Sequence, residues 1–186
     1  MKKVLIVSGH TDLNNSFANK IIFAKLERDL PEAVFDYLDK EYPDFAIDVE
    51  AEQKKLVDAD IIVLQFPVFW YSYPSLMHRW MEDVFEHGFS HGSKGKALLG
   101  KKLVASFTTG APEEMYVKGG PQLYPVDELV LPAIKSTANL CGMEYAGYVY
   151  TGGVSYASRP DAEKVKVMRA KAEAHAERLE ELLKTM

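Results

Sequence analysis

The chain has 186 residues, 47% apolar and 26% charged, with a formal net charge of −5. That length fits one domain with a full core, and an acidic balance without any basic run argues against nucleic acid as a partner. The single cysteine, Cys141 in Asn139-Leu-Cys-Gly-Met143, rules out an internal disulfide or a multi-cysteine metal site and reads as a buried structural thiol.

Val4 to Val7 is a first strand, its apolar run too short and too soon polar to be a secretion signal. Ser8 to Asn15 is a polar loop, and Ser16 is placed to cap a helix whose buried face is Phe17, Ile21, Ile22, Ala24 and Leu26. Ala33 to Leu38 reads as a second strand, Tyr42-Pro43-Asp44-Phe45 as a connector, and Asp48 to Val57 as a helix. Ile61 to Phe66 is a continuous apolar run, the pattern of a strand covered on both faces in a parallel sheet. Pro67 ends it, and the aromatic loop Phe69-Trp70-Tyr71 precedes a helix from Ser75 to about Glu86. That helix carries Leu76, Trp80 and Val84 on one row and Met77, Met81 and Phe85 on the next. So wide an apolar face either meets the sheet and a second subunit or is buried within one monomer.

His87 to Lys96 is glycine-rich and expected to be mobile. Leu103 to Phe107 is a fourth strand, Val126 to Leu140 a helix with Gly142 at its end, Glu144 to Thr151 a fifth strand, and Asp161 to Lys184 a long last helix. Five strands alternating with helices give a doubly wound α/β sheet, one domain over residues 1–186. No stretch approaches the about 20 apolar residues of a membrane span, so the expected compartment is the cytoplasm.

Ligands of open α/β sheets bind outside the carboxyl ends of the strands, and the loops after strands one, three and four are all chemically marked. The first, from Ser8 to Asn19, feeds a helix N-terminus whose free amides and dipole favour an anion. His10, Asn15 and Ser16 add donors, while the phosphate-loop and dinucleotide glycine patterns are absent. The second, Pro67-Val68-Phe69-Trp70-Tyr71, offers large flat side chains and backbone amides, suited to a planar hydrogen-bonding ring such as a flavin. The third, Thr108-Thr109-Gly110-Ala111, adds two hydroxyls and a residue that lets backbone approach a ring. Each loop alone is also an ordinary turn; the weight lies in their sharing one edge. His78, His87, His91 and His175 have no metal-ligand company, so no metal is expected, and His175 is expected to lie outside the site.

With these residues in view, the chain resembles the NAD(P)H:quinone oxidoreductase family of flavodoxin-like flavoproteins. It is most similar to the bacterial branch holding the ancillary flavoproteins of glutathione-gated potassium efflux systems and the drug-activity modulators. The resemblance runs from His10 to about Leu140 through Ser16-Phe-Ala-Asn19, Leu38 to Phe45, Asp60 to Phe85 and Thr108-Thr109-Gly110; its specific part is Gln65-Phe-Pro-Val-Phe-Trp-Tyr-Ser-Tyr-Pro74. It implies strand order 2-1-3-4-5 and a two-fold homodimer with active sites at the subunit interface. It also implies FMN or FAD held by His10, Ser16, Phe17, Ala18 and Asn19 at the phosphate, by Pro67, Val68, Phe69, Trp70 and Tyr71 at the ring, and by Thr108, Thr109, Gly110 and Ala111 on the pyrimidine side. Tyr116 matches a tyrosine that points at the substrate.

The chain departs from the family at three places. Phe69 stands where relatives often have glutamine, Ala111 replaces a second glycine, and Gln122 stands where the animal enzymes place a histidine proton donor, so a Tyr–His relay is not expected. The chain ends soon after its last helix, which favours FMN over FAD. The expected activity is two-electron, ping-pong reduction of quinones or similar electrophiles by NADPH or NADH. The alternative is a regulatory ancillary protein bound to a potassium-efflux membrane protein, then peripheral at the inner membrane. A one-electron carrier fits the modest acidity and aromatic loop poorly.

Overall fold

The structure is a computed structural model and describes residues 2–186. Five parallel strands form one sheet in the order β2-β1-β3-β4-β5: β1 Val4–Ser8, β2 Val34–Tyr37, β3 Ile61–Pro67, β4 Lys102–Thr108 and β5 Glu144–Thr151. The helices are α1 Ala18–Asp29, α2 Leu38–Glu41, α3 Val49–Asp58, α4 Ser75–Val84, α5 Val126–Leu129, α6 Leu131–Leu140 and α7 Ala162–Lys184. Among the described residues no helix is long and apolar enough to cross a membrane.

The alternation of side chains along a strand divides the core in two. Leu5, Val7, Ile62, Leu64, Phe66, Leu103, Ala105 and Phe107 pack with α3, α4 and α6 on one face. Ile6, Ile61, Val63, Val104 and Val149 pack with α1 and α7 on the other. This second face changes character towards its carboxyl end. Two residues beyond Ile6, Val63 and Val104 come Ser8, Gln65 and Ser106, which pair in register across the three central strands and are buried. The continuous apolar reading of β3 and β4 thus conceals a polar row placed next to the loops that matter. α4 is buried through Leu76, Met77, Trp80 and Val84 within the chain itself.

Element boundaries differ from expectation where side chains intervene. Asp12 accepts from the Asn15 amide (3.2 Å) and winds Leu13–Asn15 into a 3₁₀ turn. α1 therefore begins at Ala18, with Ser16 Oγ still accepting from the Asn19 amide at 3.2 Å. The helix expected over 126–140 is two helices, because Pro132 has no amide hydrogen to continue a ladder through Val130. Leu38 leaves β2 to start α2. The glycine-rich segment after α4 is folded as turns around Ser90, whose hydroxyl bonds the Glu86 carbonyl (3.2 Å) and His91 Nδ1 (2.9 Å).

A buried ion cluster joins β2 to the helices beside it. Lys55 Nζ reaches Asp36, Glu41 and Glu52 at 2.9, 2.7 and 2.6 Å. Glu52 also accepts from Tyr42 Oη and Trp80 Nε1, each at 2.7 Å. Burial and the neighbouring Glu52 carboxylate push Asp36 up to about 8. The three carboxylates are close enough to hold a cation, and the Lys55 ammonium supplies it.

Candidate active site at the carboxyl edge of the sheet

The loops after β1, β3, β4 and β5 surround a cavity of about 390 Å³. From the loop after β1 it takes His10, Ser16, Phe17, Ala18 and Asn19; from β3, Pro67, Val68 and Phe69; from β4, Thr108, Thr109 and Gly110. Trp70, Tyr71, Ala111 and Tyr116 do not line it. A larger cavity of about 640 Å³ opens at the opposite edge, near Leu30, Pro31 and Leu183, and takes none of the expected site residues.

The loop after β1 presents donors. The Asp12 amide donates to His10 Nδ1 at 3.0 Å, so a neutral His10 carries its proton on Nε2. Burial holds the His10 pKa below its ordinary value, against the pull of Asp39 and Asp12. Phe69 meets the His10 ring edge-on at 5.8 Å, joining this loop to the next.

The aromatic loop is a two-residue hairpin. Phe69 and Ser72 exchange both backbone hydrogen bonds at 3.1 Å, and the two residues between them, Trp70 and Tyr71, have φ of 49° and 64°. These are the central positions of a type I′ turn, where asparagine and glycine are favoured and bulky side chains cost about 1–2 kcal/mol each. Strain of this kind gathers at functional sites. The turn leaves Trp70 95% exposed. Tyr71 Oη donates to Gln122 Oε1 at 3.0 Å, so the glutamine standing at the relatives' histidine position ties the aromatic loop to the segment after Tyr116.

The loop after β4 is braced from β5. Thr109 Oγ1 donates to the Ala111 carbonyl and therefore accepts from Tyr150 Oη, both at 2.8 Å. Burial pushes Tyr150 up to about 12 and also raises Tyr116, whose ring meets that of Tyr150 edge-on at 6.2 Å. Gly110 has no left-handed φ, and a Cβ there would meet nothing closer than Ser155 at 3.7 Å. Neither backbone strain nor packing calls for glycine; its lack of a side chain keeps the cavity wall open.

The cavity has a fourth wall that the local sequence pattern of the loops after β1, β3 and β4 does not mark. Val154, Ser155, Tyr156 and Arg159, in the loop between β5 and α7, line the cavity, as does Asp12; Asn15, expected as a donor there, lines it too. Arg159 is stacked on Tyr156, donates to the Asn15 carbonyl, and has a buried Nε without a partner among the described residues. The signal was available, since Gly152-Gly153 follows a strand that ends at the same edge. His175 likewise does not fall simply outside the site. It is fully buried beneath it, bonded to Ser106 and Thr151 at 2.8 and 2.9 Å.

These features test the fit of a flavin mononucleotide. The orphaned Arg159 nitrogen, the α1 amides and His10 suit a phosphate at one end of the cavity; the aromatic turn and the open Gly110 wall suit a planar ring at the other. The residues present fit that group.

Comparison with known proteins agrees. Residues 2–176 match the family described as having a flavodoxin-like fold. The chain is 38% identical to Bacillus subtilis YrkL, named an NAD(P)H oxidoreductase, over 87% of this chain and 91% of that one. It is 34% identical to KefG of Yersinia enterocolitica, named a glutathione-regulated potassium-efflux system ancillary protein, over 98% of this chain and 95% of that one. A crystal structure of general stress protein 14 from Treponema denticola in complex with FMN superposes with a TM-score of 0.77 at 28% identity, covering 94% of this chain and 99% of that one.

Proposed function

The chain belongs to the flavodoxin-like-fold family, in its NAD(P)H:quinone oxidoreductase branch, and on that premise we propose that it is an FMN-dependent NAD(P)H oxidoreductase reducing quinones or similar electrophiles by two electrons. The observation that carries this is the cavity's division into an end with Arg159, whose Nε has no partner among the described residues, and the α1 amides, and an end with a strained aromatic turn. FMN is favoured over FAD because the related complex holds FMN.

In this reading, His10, Ser16 to Asn19 and Arg159 hold the phosphate. Pro67, Val68 and Phe69 would support the ring, with Trp70 and Tyr71 at its rim, and the backbone of Thr108 to Ala111 would meet its pyrimidine side. The bound flavin supplies reversible two-electron transfer. The amides of Gly110 and Ala111, in the turn braced by Tyr150, would donate to the pyrimidine side and favour negative charge there. Phe69 and Trp70 give NADPH or NADH, and then the quinone, an aromatic surface on which to stack in turn. Tyr116 donates a hydrogen bond to the quinone oxygen. A homodimer covers the exposed Trp70 and Tyr71 and completes the site. The protein acts in the cytoplasm.

A second reading, an ancillary subunit of a potassium-efflux membrane protein, is favoured by the match to KefG over nearly the whole of both chains. The test is purification with and without added FMN, followed by initial rates with NADPH and a quinone. One FMN per chain and parallel double-reciprocal lines support the ping-pong enzyme. Bound FMN without turnover shifts the weight to the ancillary reading.

A further inference from the structure

A hydrogen-bond chain runs through the interior from Arg178 on α7 to Thr108 at the cavity, and donor accounting gives it a direction. Arg178, which can only donate, gives a hydrogen to Thr151 Oγ1 at 2.7 Å and to the Tyr150 carbonyl at 3.0 Å. The buried Thr151 hydroxyl has no other acceptor among the described residues, so it gives its own hydrogen to His175 Nδ1 at 2.9 Å. Neutral His175 then carries its proton on Nε2 and donates to Ser106 Oγ at 2.8 Å. Ser106 donates to Gln65 Oε1, Gln65 Nε2 to Asn19 Oδ1 at 2.8 Å, and Asn19 Nδ2 to Thr108 Oγ1 at 3.1 Å.

The last five residues of the chain are sealed from solvent: His175 and Ser106 are 0% exposed, Gln65 1%, Thr108 2% and Asn19 3%. Burial, with the Arg178 charge adding to it, pushes His175 down to about 3, so it stays neutral at ordinary pH. Thr108 ends the chain with its O–H unspent among the described residues. It lines the cavity between Asn19 at the phosphate end and Val68 at the ring end, whose amide donates to the Thr108 carbonyl at 2.8 Å. If His175 instead carried its proton on Nδ1, Gln65 and Asn19 would each turn over, and Thr108 would meet the cavity with a lone pair.

We propose that this chain makes Thr108 a fixed donor to a ribityl hydroxyl oxygen of the flavin, with Arg178 and His175 as remote positioning residues that set its polarity. This rests on the flavin reading above.

The test titrates FMN, riboflavin and lumiflavin, which lacks the ribityl chain, against wild type, Thr108→Val, Thr108→Ser, Arg178→Met and the Thr108→Val/Arg178→Met double variant. Thr108→Val weakens FMN and riboflavin by about three- to tenfold, the worth of one neutral hydrogen bond, and leaves lumiflavin unchanged; Thr108→Ser restores wild-type affinity. Arg178→Met weakens the same two ligands, and the double variant is no weaker than Thr108→Val. Nitrogen NMR of the flavin-free wild type places the His175 proton on Nε2, and Arg178→Met yields a mixture of tautomers. Equal losses on lumiflavin, additive losses in the double variant, or a proton on Nδ1 would overturn the inference while leaving the flavin reading intact. A wild-type chain that takes up none of the three flavins would overturn both.

Discussion

The guanidinium of Arg159 lies 3.4 Å from the ring centre of Tyr156. Stacking on that ring holds the cation at the cavity, where among the described residues it has no carboxylate partner and its buried Nε is unpaired. A buried unpaired donor is expensive, and a bound phosphate is the group that would relieve it.

Arg159→Met is therefore expected to weaken FMN by about 10- to 100-fold, the range of a charge-assisted hydrogen bond, while riboflavin, which has no phosphate, changes little. Quenching of flavin fluorescence measures both. Equal losses on the two ligands would place Arg159 away from the phosphate.

Trp70 and Tyr71 pay for function with backbone strain. Replacing them by Asn-Gly, the pair that a type I′ turn prefers, is expected to raise the unfolding free energy by about 1–3 kcal/mol and to lower quinone turnover sharply. Urea denaturation and steady-state rates give the two readings, and a variant no more stable than wild type would show that the turn is unstrained.

Tyr116→Phe keeps the ring that meets Tyr150 and removes one donor. Quinone turnover is expected to fall about tenfold, with FMN affinity unchanged. Unchanged turnover would remove Tyr116 from the substrate's contacts.

His175 ties stability to pH. Its folded pKa of about 3 lies below the ordinary 6.5, so the unfolded chain binds the extra proton between those values. Stability contributed by the neutral ring is complete above about pH 6.5 and falls as pH drops, by about 1.4 kcal/mol per pH unit. His175→Gln removes this dependence and keeps a donor and an acceptor in place. Urea midpoints at about pH 7, 5.5 and 4.5 should fall less steeply for the variant than for wild type, the carboxylates cancelling in the comparison. Parallel slopes would mean that His175 is not held neutral.

Lys55→Met takes the ammonium from among Asp36, Glu41 and Glu52, the first and third of which have fully buried side chains. The expected cost is about 3–5 kcal/mol, as for breaking other buried ion pairs from one side. A loss below about 1 kcal/mol would show that the cluster behaves as a surface one.

Much of this was legible in the chain. Ile61 to Phe66 announced a buried parallel strand, and the loops after β1, β3 and β4 were found by residue type, because helix-capping and aromatic residues carry local signals. Three features were hidden for a common reason. Gln65 and Ser106 sit inside apolar runs, and their polarity has meaning only once register sets them side by side. His175 looked like one more residue of a long helix until α7 laid it against Ser106 and Thr151. Arg159 follows an exposed turn whose approach to Asn15 spans 144 residues of sequence. Local pattern reaches turns and caps; it does not reach contacts that the sheet order alone creates.

The most direct test of the central claim is the visible spectrum of the FMN-loaded protein under anaerobic conditions, before and after NADPH and again after a quinone. The account predicts that the flavin band bleaches on mixing with NADPH and returns in full with one equivalent of quinone. A band that NADPH and NADH both leave untouched would contradict it.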